Sequence, residues 1–264
     1  MALHTTTLGE RGPLVAFCHG LFGQGKNWTS IAKVIAEDHR VLLVDMPHHG
    51  RSPWGDRFDY VDVADQVAEL FSADDPVALV GHSMGGKAAM VVALRHPELV
   101  ERLCVVDVSP VDYASASEFT GYISAMLALD LDTLEHRRDA DAALTEAVPN
   151  PTVRSFLLQN LRREDDGWSW QPNLEVLGRD IAGLSGWPEA ALVGTAPYEG
   201  RTLWVSGQRS GYVRDEYVAA MDRWFPRNRR VVIKDAGHWV HSEQPQVFTE
   251  VLRRFLAQDR AVPG

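Results

Sequence analysis

The residues best placed to do chemistry lie in Gly81-His82-Ser83-Met84-Gly85. An apolar run, Val77 to Val80, leads into this pentapeptide, and a helix-prone stretch, Lys87 to Leu94, follows it. G-x-S-x-G between a buried strand and a helix predicts a sharp, strained turn that lifts the Ser83 hydroxyl clear of the backbone. Gly81 and Gly85 carry no Cβ, so strand and helix can close tightly around the serine. A serine hydroxyl is a poor nucleophile until a base takes its proton. The chain must therefore supply a histidine and a group to orient it.

Among ten histidines, His238 is singled out by position. It follows the apolar run Val231–Lys234 in the loop Asp235-Ala-Gly-His-Trp239. The strand ends of a parallel sheet share one edge, and ligands collect there. His238 is thus expected to face Ser83.

The orienting carboxylate has more than one candidate. The usual place is the loop after Thr202–Ser206, but there the chain reads Gly207-Gln-Arg-Ser-Gly211, with no acid and with Ser210 where one is expected. Asp107 ends the strand that follows the elbow helix, one strand from Ser83, or about 5 Å at sheet spacing. An acid after an apolar strand needs a partner. Asp215 is expected in the first turn of a helix, an ordinary structural place for an acid. Asp107 is preferred, Asp215 is the alternative, and Asp112 and Asp235 are weaker options. A tetrahedral intermediate also needs two donors for its oxyanion. The Met84 N–H opens the elbow helix. The Leu21 N–H, in His19-Gly-Leu-Phe-Gly23 after the run Leu14–Cys18, is the expected second donor.

These residues need a scaffold. Leu14–Cys18, Arg40–Asp45, Val77–Val80 and Arg102–Val108 read as buried strands, with helices from Trp28 and over Tyr60–Phe71 and Met84–His96 between them. Such alternation predicts an α/β domain, a mostly parallel sheet with helices on both faces. Gly9-Glu-Arg-Gly12 reads as a hairpin turn after an N-terminal strand, and Asn27 as a helix cap. The alternation stops near Asp112 and resumes at Thr202–Ser206, followed by helix Arg214–Trp224, strand Arg230–Lys234 and helix Gln246–Ala257. Residues 1–111 and 198–264 are expected to form the core and 112–197 an inserted helical cap. Its expected helices are Phe119–Leu129, Leu131–Arg138, Asp139–Ala147 and Val153–Arg163, with Trp168, Trp170 and Trp187 as packing residues.

The chain has 264 residues, 45% of them hydrophobic, and a net charge of −10. That is enough to bury a sizeable core, and no basic stripe invites nucleic acid. No apolar run approaches the roughly 20 residues of a membrane span. The first residues lack the order of a signal peptide. A soluble cytoplasmic protein is the expectation, and nothing indicates its oligomeric state. Cys18 and Cys104 sit in strand-like runs and read as buried core residues without a disulfide. His48-His49 and the pair His238 and His241 lack matched ligands, so no metal and no cofactor are expected. Arg209 and Lys87 lie near the proposed edge, and a solvated role is expected for them over contact with a charged substrate group.

His19-Gly-Leu-Phe-Gly23, Asp45 with His49-Gly-Arg-Ser-Pro53, Gly81-His-Ser-Met-Gly-Gly-Lys87, Val106-Asp-Val-Ser-Pro110 and Gly237-His-Trp-Val-His241 together resemble the α/β-hydrolase fold. More closely they look like the YbfF-type bacterial esterases and their mitochondrial relatives. The resemblance covers the core nearly end to end, while the insertion matches only in length and helical character. It implies the serine and histidine roles at Ser83 and His238, and its Asp-x-Ser-Pro motif falls on Asp107. It also implies hydrolysis of small-molecule carboxylic esters, often with short acyl chains, and sometimes of acyl thioesters. A cofactor-free haloperoxidase or a slow-turnover ligand receptor would share the same residues.

Overall fold

In the computed structural model, residues 2–113, 117–165 and 167–257 are described. The strands are β1 (Thr5–Leu8), β2 (Leu14–Cys18), β3 (Arg40–Val44), β4 (Val77–His82), β5 (Val100–Val106), β6 (Leu161–Glu164), β7 (Gly167–Trp170), β8 (Arg201–Gly207) and β9 (Asn228–Ile233). Seven of them form one sheet in the order β1-β3-β2-β4-β5-β8-β9. Only β1 runs antiparallel, against β3; the other pairs are parallel.

The Gly9–Gly12 hairpin is therefore a correction. β1 does not fold back on β2 but pairs with β3, Thr5 opposite Val44. Gly9 and Gly12 sit at φ +72° and +86°, and a Cβ at either would strike backbone oxygens of Asp38 or His39. The glycines permit a close crossing over the turn before β3 rather than a hairpin.

The helices are α1 (Thr29–Ile35), α2 (Tyr60–Ala68), α3 (Met84–Arg95), α4 (Ser117–Leu127), α5 (Arg137–Ala143), α6 (Pro151–Leu158), α7 (Leu174–Arg179), α8 (Ile181–Ser185), α9 (Val218–Trp224), α10 (Val240–Glu243) and α11 (Pro245–Ala257). Alternation along the strands divides the core into two layers. Ala16, Cys18, Leu79, Leu103 and Val105 face α2 and α3, with Val63, Val67, Met90 and Val91. Val15, Phe17, Val80, Cys104 and Val106 face α1 and α11, with Trp28, Phe248 and Leu252. Each large apolar side chain so buried contributes roughly 1.5–3 kcal/mol. Asp59 caps α2 by accepting from the Val61 and Asp62 amides. Asn27 is not the cap of α1. It lies inside a 3₁₀ turn, Gly25–Trp28, and accepts from the Gln24 N–H.

Between β5 and β8 the described residues hold helices α4 to α8 and the antiparallel hairpin β6–β7. The hairpin corrects the expected helix over Val153–Arg163, which ends at Leu158. Trp168 and Trp170 lie on the hairpin, and their indole N–H groups donate to Leu134 O (2.9 Å) and Met126 O (3.0 Å). This segment has only a small cluster of its own, around Ala140, Leu144, Leu158 and Leu161. Ile123, Met126, Leu157, Leu177 and Leu184 belong instead to the sheet's main core. No helix among the described residues is long and apolar enough to cross a membrane.

Candidate active site

Five parallel strands bring the chemistry to one edge. Cys18 lies opposite Gly81, His82 opposite Val106, Val106 opposite Val205 and Gly207 opposite Ile233. The loops leaving β2, β4, β5, β8 and β9 therefore meet above the same strand ends.

Ser83 adopts φ 52° and ψ −120°, a strained conformation for a residue with a side chain. Its N–H donates to Val106 O (3.0 Å), and α3 starts at the next residue. A Cβ at Gly81 would lie 2.3 Å from Gly85 O, and one at Gly85 only 2.4 Å from His19 O. The two glycines are thus required by the close crossing of β4, α3 and the loop after β2.

The Ser83 hydroxyl lies 3.0 Å from His238 Nε2, and His238 Nδ1 lies 2.7 Å from Asp107 Oδ2. With Nδ1–H donating to the carboxylate, Nε2 is left free to accept the Ser83 proton. Asp107 is fully buried and also has positive φ, 54°. Its Oδ1 accepts from the Gly207 N–H (3.0 Å), while Ser210 Oγ donates to Oδ2 beside the imidazole. His82 Nε2–H donates to His238 O (2.9 Å), and the Tyr212 ring packs on the imidazole at 4.3 Å between centroids. Asp215 lies exposed in a 3₁₀ turn, Asp215–Tyr217. Asp112 accepts from the Trp187 N–H (2.6 Å), and Asp235 O from Arg209 (2.9 Å).

The loop after β2 is braced against the serine. A Cβ on Gly20 would lie 3.1 Å from Ser83 Cβ. Phe22, at φ 61°, donates its N–H to His49 Nε2 (3.2 Å), and Gly23 N–H donates to Gly20 O (2.9 Å). Among the described residues these bonds leave the Leu21 N–H uncommitted. The Met84 N–H, first in α3, has no intrahelical acceptor. Asp45 fixes the neighbouring loops, accepting from Gly25 N–H (2.7 Å) and Arg51 N–H (3.0 Å).

The histidines beside the site are buried braces. His19 Nε2 accepts from Met46 N–H (2.9 Å), and the His241 ring stacks on Trp28 at 4.1 Å. Burial pulls His19 down to about 4, His49 and His241 to about 3, and His82 well below its ordinary value. Unfolded, each takes up a proton near pH 6.5; folded, each resists until far lower pH. Stability is thus lost as pH falls from about 6.5 toward 4, by up to about 1.4 kcal/mol per histidine per pH unit. Urea midpoints should be clearly lower at pH 5 than at pH 7.5. A midpoint that stays level or rises on acidification contradicts this reading.

Lys87 is a correction. It is not solvated but 1% exposed, and Nζ donates to Val111 O (2.9 Å), Ser185 O (2.7 Å) and Gly186 O (2.5 Å). Burial draws its pKa down to about 7. The helix after the elbow is covered by the start of the inserted segment and by the end of α8, which leaves the side chain almost no exposure. Arg209 is exposed, and its guanidinium donates to Glu243 (3.0 Å). Sequence reasoning also missed the contacts of Ser210 and Tyr212; the only signal was a hydroxyl where an acid was sought. Cys18 and Cys104 are buried and free, and burial pushes the Cys18 thiol up to about 12.

A narrow cavity of about 30 Å³ opens beside Ser83 and Met84, walled by Tyr60, Lys87, Tyr113 and Leu184. Among the described residues, no three His, Cys, Asp or Glu side chains converge as a metal site.

Known proteins share this arrangement of chain. The chain is 38% identical over 253 residues to the mouse sn-1-specific diacylglycerol lipase ABHD11, covering 93% of this chain and 81% of that protein. It is 31% identical over 246 residues to esterase YbfF of Escherichia coli K12, covering 92% of each. A solved marine microorganism esterase superposes with a TM-score of 0.91 at 31% identity, covering 96% of this chain and 99% of that one. The family model described as the alpha/beta hydrolase fold matches residues 13–245. With that match over most of its length, the chain belongs to the α/β-hydrolase family.

Proposed function

We propose that the chain hydrolyses carboxylic esters of small molecules through an acyl-enzyme on Ser83. The observation that carries this reading is the hydrogen-bonded line Ser83 Oγ to His238 Nε2 (3.0 Å) and His238 Nδ1 to Asp107 Oδ2 (2.7 Å). The esterase and lipase names of the relatives support the same chemistry.

His238 Nε2 takes the Ser83 proton as Oγ bonds to the ester carbonyl carbon. The carbonyl π pair moves onto oxygen, where the Leu21 and Met84 N–H groups hold the negative charge. Collapse breaks the bond to the alcohol, which leaves with the proton from Nε2. Water then gives a proton to Nε2, attacks the acyl carbon and releases the acid, and the proton returns to Ser83. Asp107 keeps Nδ1 protonated and stabilises the imidazolium. The net change is ester and water to acid and alcohol, with no cofactor.

Residues 112–197 act as a cap over this edge, and of short to medium acyl chains the small cavity favours the short ones. A panel of p-nitrophenyl esters from acetate to palmitate, with matched acyl thioesters, tests the reading. Ester turnover well above background, strongest at the short end, is expected. Absence of turnover on every ester would sink it. Thioester turnover exceeding that of the matched esters would move the assignment to a thioesterase.

A further inference from the structure

Lys87 lies one turn beyond Ser83 on α3, and its own N–H donates to Ser83 O (3.0 Å). Its ammonium holds carbonyls from the start of the inserted segment and from the end of α8 within it. Val111 lies where the chain leaves β5 for the insertion; Ser185 and Gly186 close α8. The two stretches are also tied to each other, by Tyr113 N–H to Ser185 O (3.1 Å) and Trp187 N–H to Asp112 Oδ1 (2.6 Å). Tyr60, on α2, donates to Leu184 O (2.8 Å). The ammonium sits 4.6 Å above the Tyr113 ring centroid, and the Asp112 carboxylate adds a favourable charge nearby.

A buried cation is costly, and three carbonyl acceptors, an aromatic face and the Asp112 charge offset that cost only while these stretches stay in place. The same residues bound the cavity at Ser83. Its walls include Ser83, Lys87, Tyr60 and Leu184, and also Phe119 and Tyr212, whose rings pack against His238, while His238 itself does not line it. The leaving group must face His238 to receive its proton, so we assign this cavity to the acyl side. About 30 Å³ holds little more than a water-sized group. A long acyl chain can enter only if Leu184 to Gly186 move outward, which breaks bonds to the Lys87 ammonium.

We propose that Lys87 is a specificity-determining residue: by clamping the start of the insertion and the end of α8 to the nucleophile helix, it keeps the acyl pocket short. This rests on the reading of Ser83 as the acylated residue. The clamp needs three N–H donors at one point, which methionine lacks entirely and glutamine supplies in part.

The test compares kcat/KM for p-nitrophenyl acetate and octanoate in the wild type, Lys87→Met and Lys87→Gln at pH 6.5. The acetate-to-octanoate ratio should fall at least tenfold in Lys87→Met, through a lower KM for octanoate, with Lys87→Gln between. An unchanged ratio in both variants overturns the proposal. If neither variant folds, the wild type decides, inactivated with methyl or octyl p-nitrophenyl phosphonate. Amide exchange over 111–113 and 184–187 should quicken with the octyl adduct and not with the methyl adduct. Equal exchange in the two adducts overturns the clamp. Absence of any phosphonate adduct on Ser83 would instead overturn the nucleophile, a separate failure.

Discussion

Ser83→Ala lowers the turnover of p-nitrophenyl acetate by about 10⁶-fold, to the level left by binding and the oxyanion donors alone. The size follows from the geometry. Ser83 is the hydroxyl 3.0 Å from His238 Nε2, and the strained turn at φ 52° holds it there. Alanine keeps the turn, since it needs the same backbone and removes only Oγ. Thermal stability should change little while turnover collapses, and circular dichroism melts of the two proteins check this. A variant that keeps more than about one-hundredth of the activity would mean that another group carries the acyl transfer.

Asp107→Asn is the second large effect, about 10⁴-fold in kcat. The Gly207 N–H needs an acceptor at the Oδ1 position, 3.0 Å away. The asparagine oxygen therefore stays there, and its NH₂ group takes the place of Oδ2. That group donates to His238 Nδ1 where the carboxylate accepted. The imidazole is driven to the tautomer with its proton on Nε2 and can no longer accept from Ser83. The negative charge that stabilises the imidazolium is lost as well. Asp215→Asn, on an exposed turn, should leave kcat within about twofold. Steady-state kinetics on the two variants decide between the acids. A larger loss from Asp215→Asn would move the orienting role away from Asp107.

Much of the fold is legible because parallel strands buried on both faces read as unbroken apolar runs. Leu14–Cys18 and Val77–Val80 are such runs, and topology then sends the loops after them to one edge. The same rule makes a meeting of Ser83 and His238 readable from 155 residues apart. The choice between Asp107 and Asp215 is less legible, because it depends on which strand end a long loop folds toward. Pairing of β1 with β3 is a long-range choice that local turn residues cannot reveal. The β6–β7 hairpin escapes because Leu161-Arg-Arg-Glu and Gly167-Trp-Ser-Trp are four-residue strands with little apolar alternation. Lys87 escapes because its partners are backbone carbonyls far along the chain, and carbonyls have no residue signature.

One measurement bears most directly on the central claim, that Ser83 is made nucleophilic by His238 and becomes acylated. The protein is treated with a fluorophosphonate and digested, and the modified residue is located by mass spectrometry. The expected result is a single adduct on Ser83, with labelling much slower in His238→Ala. Stoichiometric labelling elsewhere, or equal labelling rates with and without the imidazole, would contradict the account.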